Sequence, residues 1–235
     1  MREGPRIDTI AALIGEPARA EMLSALMADR ALTATELAGL AGVSRATASA
    51  HLGKLCRAGL VTVHDQGRHR YFRLAGADVA QLIESLAGVA FRSGAVRLKS
   101  SPREPALRRA RVCYDHLAGE LGVQAFESLL AQDVLRIDAG GLQLGAAAAA
   151  WCVGFGIDLG ALTSQRRMVC RACMDWSERR THLAGALGAA LLQRLFTLGW
   201  ARRVEGTRIV GFTPPGERAF AERFAPVSAA HPAVV

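Results

Sequence analysis

What this chain has little of narrows its function first. Only two lysines, Lys54 and Lys99, stand among its 29 basic residues, so arginine carries almost all of the positive charge. Against 21 acidic residues the formal net charge is +8, a balance that attracts polyanions without naming one. The N-terminus lacks a basic patch followed by a long apolar run, so no signal peptide is expected and a cytoplasmic location is. Gly145 to Ile157 is apolar but too short to span a bilayer, and Asp158 follows at once, so no membrane partner is expected. Phosphate loops, G-x-S-x-G elbows and dinucleotide fingerprints are missing, which removes the enzyme classes that depend on them. Five cysteines, an odd number without an export signal, favour reduced thiols over structural disulfides.

What is present concentrates between Val43 and Leu74. Ser44 is a good N-cap, and Ala48, Leu52 and Leu55 recur at helical spacing to make one apolar face. The opposite side carries Arg45, Thr47, Ser49, His51 and Lys54, short or hydrogen-bonding side chains that suit a helix lying in a major groove. Gly59 stops that helix. Leu60 to His64 and His69 to Leu74 then alternate like strands around Gln66-Gly67, and Arg68, His69, Arg70 and Arg73 make the second arm basic. Upstream, Leu32 to Ala41 reads as a short helix with Leu37 and Leu40 on one side, and Gly42-Val43 supplies the turn. Helix, turn, helix and basic hairpin in this order predict a winged helix-turn-helix that binds double-stranded DNA.

From about Ile10 to Val89 the sequence resembles the ArsR/SmtB family of winged-helix repressors, through GEPARAEMLSALM, TELAGLAGVSRATASAHLGKLCRAGLV and GRHRYFRL. The resemblance implies a homodimer whose recognition helices read an inverted-repeat operator and repress until an effector binds. It places Arg45, Ala46, Ser49 and Ala50 at base-reading positions, and Lys54, Arg68 and Arg70 at backbone-contacting ones. Ala50 departs from the pattern, because many members have histidine there and this chain has His51 one position later. The family's usual metal sites fall at Glu36 to Gly42 and Asp78 to Glu84, and both lack the ligands. Sensing is therefore expected in the C-terminal half, which longer members share through CYDHLAG and DWSER blocks.

Two apolar stripes are candidates for dimerisation or for their own core: Ile7, Ile10, Leu13 and Ile14, and Val79, Leu82, Ile83, Leu86, Val89 and Ala90. The resemblance favours the dimer interface. The predicted domains are residues 1–98 for DNA binding and dimerisation, a Pro-containing linker at 99–105, and residues 106–235 as the sensor. The last holds an internal repeat, HLAGELG from His116 recurring as HLAGALG from His182 with a period of 66 residues. Each copy reads as helix, helix, hairpin, helix, again winged-helix-like. The fold class expected is mainly α with small β-hairpin wings, α+β.

Cys113-x-Asp115-His116 precedes the first copy, and Cys170-x-x-Cys173-x-Asp175 precedes the second. If the copies pack about a pseudo-twofold axis, Cys113, His116, Cys170, Cys173, Asp175 and His182 converge. Thiolate and imidazole would then select a thiophilic metal ion such as zinc or copper(I). Redox thiols are a second reading, with Arg166, Arg167, Arg171, Arg179 and Arg180 favouring thiolate. Buried packing residues are a third, together with an organic effector in an apolar cleft lined by Trp151, Trp176 or Phe155. A thiol oxidoreductase is the distant alternative, since the flanks of Cys170-x-x-Cys173 give no strand and no βαβ setting. Cys56 reads as a buried spacer in the recognition helix.

Overall fold

The structure, a computed structural model, describes residues 4–28, 31–67, 69–95 and 104–225. It divides into two compact units, Met1–Ile83 and Glu84–Val235, with the division inside one helix. That division precedes the expected linker, whose residues 99–103 lie outside the described residues and whose Glu104 and Pro105 open a helix.

The first unit begins with α1 (Ile7–Ile14) and α2 (Pro17–Leu26). Glu16 caps α2 by accepting from the Ala18 and Arg19 amides, and Pro17 occupies the first turn, where no amide donor is needed. β1 (Leu32–Thr33) leads into α3 (Ala34–Ala41), so the two residues expected to open this helix are instead strand. The reason is local: Thr33 and Glu36 form a reciprocal capping box, which fixes the helix start after Thr33. Leu37 is fully buried on α3, but Leu40 is exposed and Ala38 takes the second inward position. Gly42, at φ 66°, turns the chain into α4 (Arg45–Arg57), where the Ser44 hydroxyl accepts from the Thr47 amide. β2 (Val61–Gln66) and β3 (His69–Leu74) form an antiparallel hairpin, and β1 adds to β3 for a three-stranded sheet. This is the winged helix-turn-helix the sequence predicts.

α5 (Ala77–Arg92) runs across the division. Val79, Ala80 and Ile83 are buried, whereas Leu82, Leu86 and Val89 are exposed, as is Ile7 on α1.

The second unit, after α6 (Glu104–Arg109), is built twice. The first copy is β4 (Arg111–Cys113), β5 (His116–Ala118), α7 (Glu120–Ala131), β6 (Leu135–Asp138), β7 (Gly141–Leu144) and α8 (Ala148–Phe155). α9 (Leu159–Thr163) bridges to the second copy. That copy is β8 (Arg171–Met174), β9 (Thr181–Ala184), α10 (Gly185–Thr197), β10 (Ala201–Arg203), β11 (Val210–Phe212) and α11 (Pro214–Arg223). The order is hairpin, helix, hairpin, helix, not the helix-first order expected, because HLA is strand and the helix begins only at or after the following glycine. Leu117, Leu121, Phe126 and Leu129 share one core with Leu183, Leu187, Leu191 and Leu195.

The repeated HLAG-x-LG block has a steric explanation. Gly119 and Gly185 sit at φ 86° and 91°, and a Cβ on either would lie 2.3 Å or 2.6 Å from a backbone carbonyl oxygen. Gly122 and Gly188 have ordinary φ but pack just as tightly, against the Leu117 and Leu183 carbonyls. Each also faces the opposite copy: a Cβ at Gly122 would be 3.7 Å from the His182 Cβ, and one at Gly188 3.3 Å from the His116 Cβ. This crossed contact is the signature of a pseudo-twofold. Gly188→Ala, whose Cβ would sit 2.4 Å from the Leu183 oxygen, is expected to cost about 1–3 kcal/mol in denaturant unfolding.

Candidate nucleic-acid interface and candidate metal centre

In the first unit, burial of Ala48, Leu52 and Leu55 turns the rest of α4 outward. Arg45, Ala46, Thr47, Ser49, Ala50 and Lys54 are all exposed on it. His51, grouped with that face above, is turned inward and half-buried: its Nδ1 lies 3.2 Å from Arg19 Nη1 and its Nε2 3.7 Å from Glu16 Oε2. Arg19 is itself buried, donating to the carbonyls of Ala12 and Leu13, so it ties α1, α2 and α4 together and holds His51 away from solvent. On the wing, His69 and Arg70 are exposed, with Arg70 Nε 3.4 Å from Asp65 Oδ1 across the strand pair. Arg68 lies outside the described residues. Cys56 is half-buried, and burial raises its thiol pKa, which fits a spacer.

In the second unit, four of the six sequence candidates meet. Cys113 and His116 face each other across β4–β5, and Cys173 and His182 face each other across β8–β9. One ligand atom from each of the four lies within 4.8 Å of every other, and all four side chains are buried. Two residues separate Cys113 from His116 and eight separate Cys173 from His182, so strand register makes the pairs equivalent where sequence spacing does not.

The imidazoles stack with centroids 5.0 Å apart and Nε2 atoms 3.1 Å apart. Their far nitrogens each face a carboxylate: His116 Nδ1 lies 3.1 Å from Asp115 Oδ1, and His182 Nδ1 lies 3.7 Å from Asp175 Oδ2. Arg167 in turn pairs with Asp115 at 2.8 Å.

Asp175 anchors a buried network. Its Oδ2 accepts from Arg111 Nη2 at 2.9 Å and from the Gly119 amide at 2.6 Å, and its Oδ1 accepts from the amides of Ser177 and Glu178. Arg111, with a fully buried side chain, also donates to Glu84 on α5 at 3.2 Å and to Ser177, and its guanidinium lies 4.6 Å from the Trp176 ring. Burial alone would raise the Asp175 pKa, but Arg111 and the Gly119 amide outweigh it and hold the carboxyl well below its usual range. For Asp115 the same opposition ends the same way, through His116 and Arg167.

Burial would depress His116, yet the neighbouring Cys113 and Asp115 overcome it and push it up to about 9. His182 moves down, through burial and the facing charge of His116. A hydrogen bond to Cys173 and burial push the Cys113 thiol well up. Both effects work against the free thiolate that a reactive cysteine needs.

Cys170 lies apart. It belongs to the apolar core, and burial with Cys152 beside it raises its thiol to about 11. Cys173 lies on a strand where none was expected. Trp151 and Phe155 pack in the same core against Phe224 and, for Phe155, Trp200, while Trp176 stands at Arg111, so the three do not line one cleft. Sequence reasoning named Asp115 in the Cys113-x-Asp115-His116 block but missed Arg111 and Glu84; for Arg111, a charged residue inside an otherwise apolar strand, as in Ala110-Arg-Val-Cys113, was the available signal.

Residues 14–64 match the model of a helix-turn-helix domain family. Across the whole chain, the HTH-type transcriptional regulator YdfF of Bacillus subtilis is 42% identical over 216 residues, covering 92% of this chain and 96% of the relative. The chain belongs to the family of HTH-type transcriptional regulators. Among solved structures, the homodimeric winged helix-turn-helix DNA-binding domain of a Mycobacterium bovis protein is 27% identical with a TM-score of 0.35, over 40% of this chain and 87% of that one. The cadmium sensor CmtR of Mycobacterium tuberculosis is 29% identical with a TM-score of 0.30, over 34% of the regulator and 82% of that chain. Among the described residues of the regulator, no helix is long and apolar enough to cross a membrane.

Proposed function

We propose that this regulator is a cytoplasmic, ArsR-like homodimeric repressor whose two α4 helices read an inverted-repeat operator in double-stranded DNA. Residues 1–98 bind DNA and dimerise, 99–105 link, and 106–235 sense the effector that releases the operator. The observation that carries the DNA reading is the exposed face of α4, where Arg45, Ala46, Thr47, Ser49 and Ala50 stand clear of the core. These residues meet base edges, and Lys54, Arg68, His69 and Arg70 meet phosphates. His51 is withdrawn from the contact set because Arg19 and Glu16 occupy it. The exposed Ile7, Leu82, Leu86 and Val89 supply apolar surface for the dimer.

The effector is sensed where Cys113, His116, Cys173 and His182 meet, as a metal ion such as zinc or as oxidation of the facing thiols. Cys170 has no part in it. A dithiol enzyme is poorly supported, since Cys170 and Cys173 face different surroundings.

Titration of the purified chain on its own promoter DNA at several salt concentrations tests the reading. Specific binding is expected, with Arg45→Ala costing about 1–3 kcal/mol at one base position and Lys54→Ala lowering the salt slope by about one. Equal affinity for promoter and unrelated DNA would refute it.

A further inference from the structure

The four-residue cluster carries more than a general affinity for soft metals. Asp115 pairs with His116 Nδ1 at hydrogen-bond distance, 3.1 Å, and Asp175 faces the buried His182 Nδ1 at 3.7 Å, too long for a hydrogen bond but close enough for the carboxylate to favour a proton on that nitrogen. That leaves the two Nε2 lone pairs directed at one another across 3.1 Å. Two such lone pairs repel unless something positive sits between them, either one shared proton, which makes the pair a hydrogen bond, or a metal ion that displaces it. A zinc–nitrogen bond of about 2.05 Å at a tetrahedral angle places two imidazole nitrogens about 3.3 Å apart, close to the spacing in place. Cys113 and Cys173 supply the remaining two corners of a closed site.

Charge balance decides which ion. Around the cluster, Asp175, Glu84 and Asp115 are matched by Arg111, Arg208 and Arg167, at N–O distances from 2.8 to 3.9 Å. These three pairs cancel one another, so they supply no spare charge to offset a charged centre, and a buried net charge costs several kcal/mol. Two thiolates and two neutral imidazoles around a divalent ion sum to zero. Around copper(I) they leave an unmatched negative charge.

Resting on the metal arm of the function proposed above, we propose that Cys113, His116, Cys173 and His182 form one tetrahedral site for a divalent zinc-class ion, two ligands from each repeat, with Asp115 and Asp175 as the positioning carboxylates behind the histidines. The ion pins the two copies together across their pseudo-twofold. Carboxylates in this position orient the imidazole and raise its basicity, and their removal weakens metal binding about 10–100-fold.

Cobalt(II), as a spectroscopic stand-in for zinc, tests this on the reduced, metal-stripped full chain. One Co(II) per chain is expected, with the intense visible bands of a tetrahedral thiolate site, displaced by Zn(II). Cys173→Ser and His182→Ala should lose that spectrum. Asp175→Asn should keep the stoichiometry and the tetrahedral bands while affinity falls about 10–100-fold. Asp115→Asn, in a more accessible turn, makes the same prediction for His116 should the Asp175 variant not fold. Copper(I) bound at these residues with Co(II) refused would overturn the divalent assignment and leave metal sensing standing. A chain that binds no metal but loses operator affinity on oxidation would overturn the site and leave only the thiol arm. Unchanged Co(II) affinity in both Asn variants would overturn the role given to the carboxylates.

Discussion

Arg111→Met is expected to destabilise the second unit by about 3–5 kcal/mol, the cost of leaving buried Asp175 without its arginine and Glu84 with only Arg208, at 3.9 Å. The side chain has no solvent exposure, its two acidic partners are Asp175 and Glu84, and those side chains are 0% and 4% exposed. Solvent cannot rescue them. For a unit of this size the loss corresponds to a fall on the order of 10 °C in the thermal midpoint. Arg111→Lys should recover little, because one ammonium cannot reproduce the fork that reaches Ser177, Glu84 and Asp175 together. Adding Glu84→Gln to Arg111→Met should return part of the loss by removing one stranded charge. Calorimetry showing Arg111→Met within about 1 kcal/mol of the parent would mean that the network adds little to stability.

Removing the metal is the second large effect. An ion bound only by the folded chain adds about 4.1 kcal/mol when its free concentration is a thousandfold above the dissociation constant. Zinc-loaded protein should therefore unfold at a clearly higher temperature than the same protein with chelator, and the gap should vanish in the Cys113→Ser, Cys173→Ser double variant. A gap of equal size in the double variant would place the stabilising ion elsewhere.

The winged helix was legible because its signals are local. Ser44, Gly42 and Gly59 mark helix ends, and the alternation through β2 and β3 needs no knowledge of distant chain. His51 was misread because its partners, Arg19 and Glu16, lie some thirty residues upstream, and helical spacing alone puts position 51 at the border of the two faces. The Cys170-x-x-Cys173 pair misled for a geometric reason. Cys170 stands just before β8 and packs into the apolar core, whereas Cys173 lies on β8 across from His182 on the next strand. The histidine period of 66 residues survived in the sequence, but the longer turn between Cys173 and His182 hid the matching cysteines. Arg111 stood out only as a charge in an apolar stretch, and its pairing with Glu84 was out of reach, because an ion pair between residues 27 positions apart leaves no periodic trace.

Operator affinity measured by fluorescence anisotropy, with zinc-loaded and metal-stripped protein compared at one salt concentration, tests the central claim most directly. The account predicts a change of about 5–150-fold between the two states in the parent chain and none in the Cys113→Ser, Cys173→Ser variant. Identical affinities for the loaded and stripped parent, with zinc shown to be bound, would contradict it.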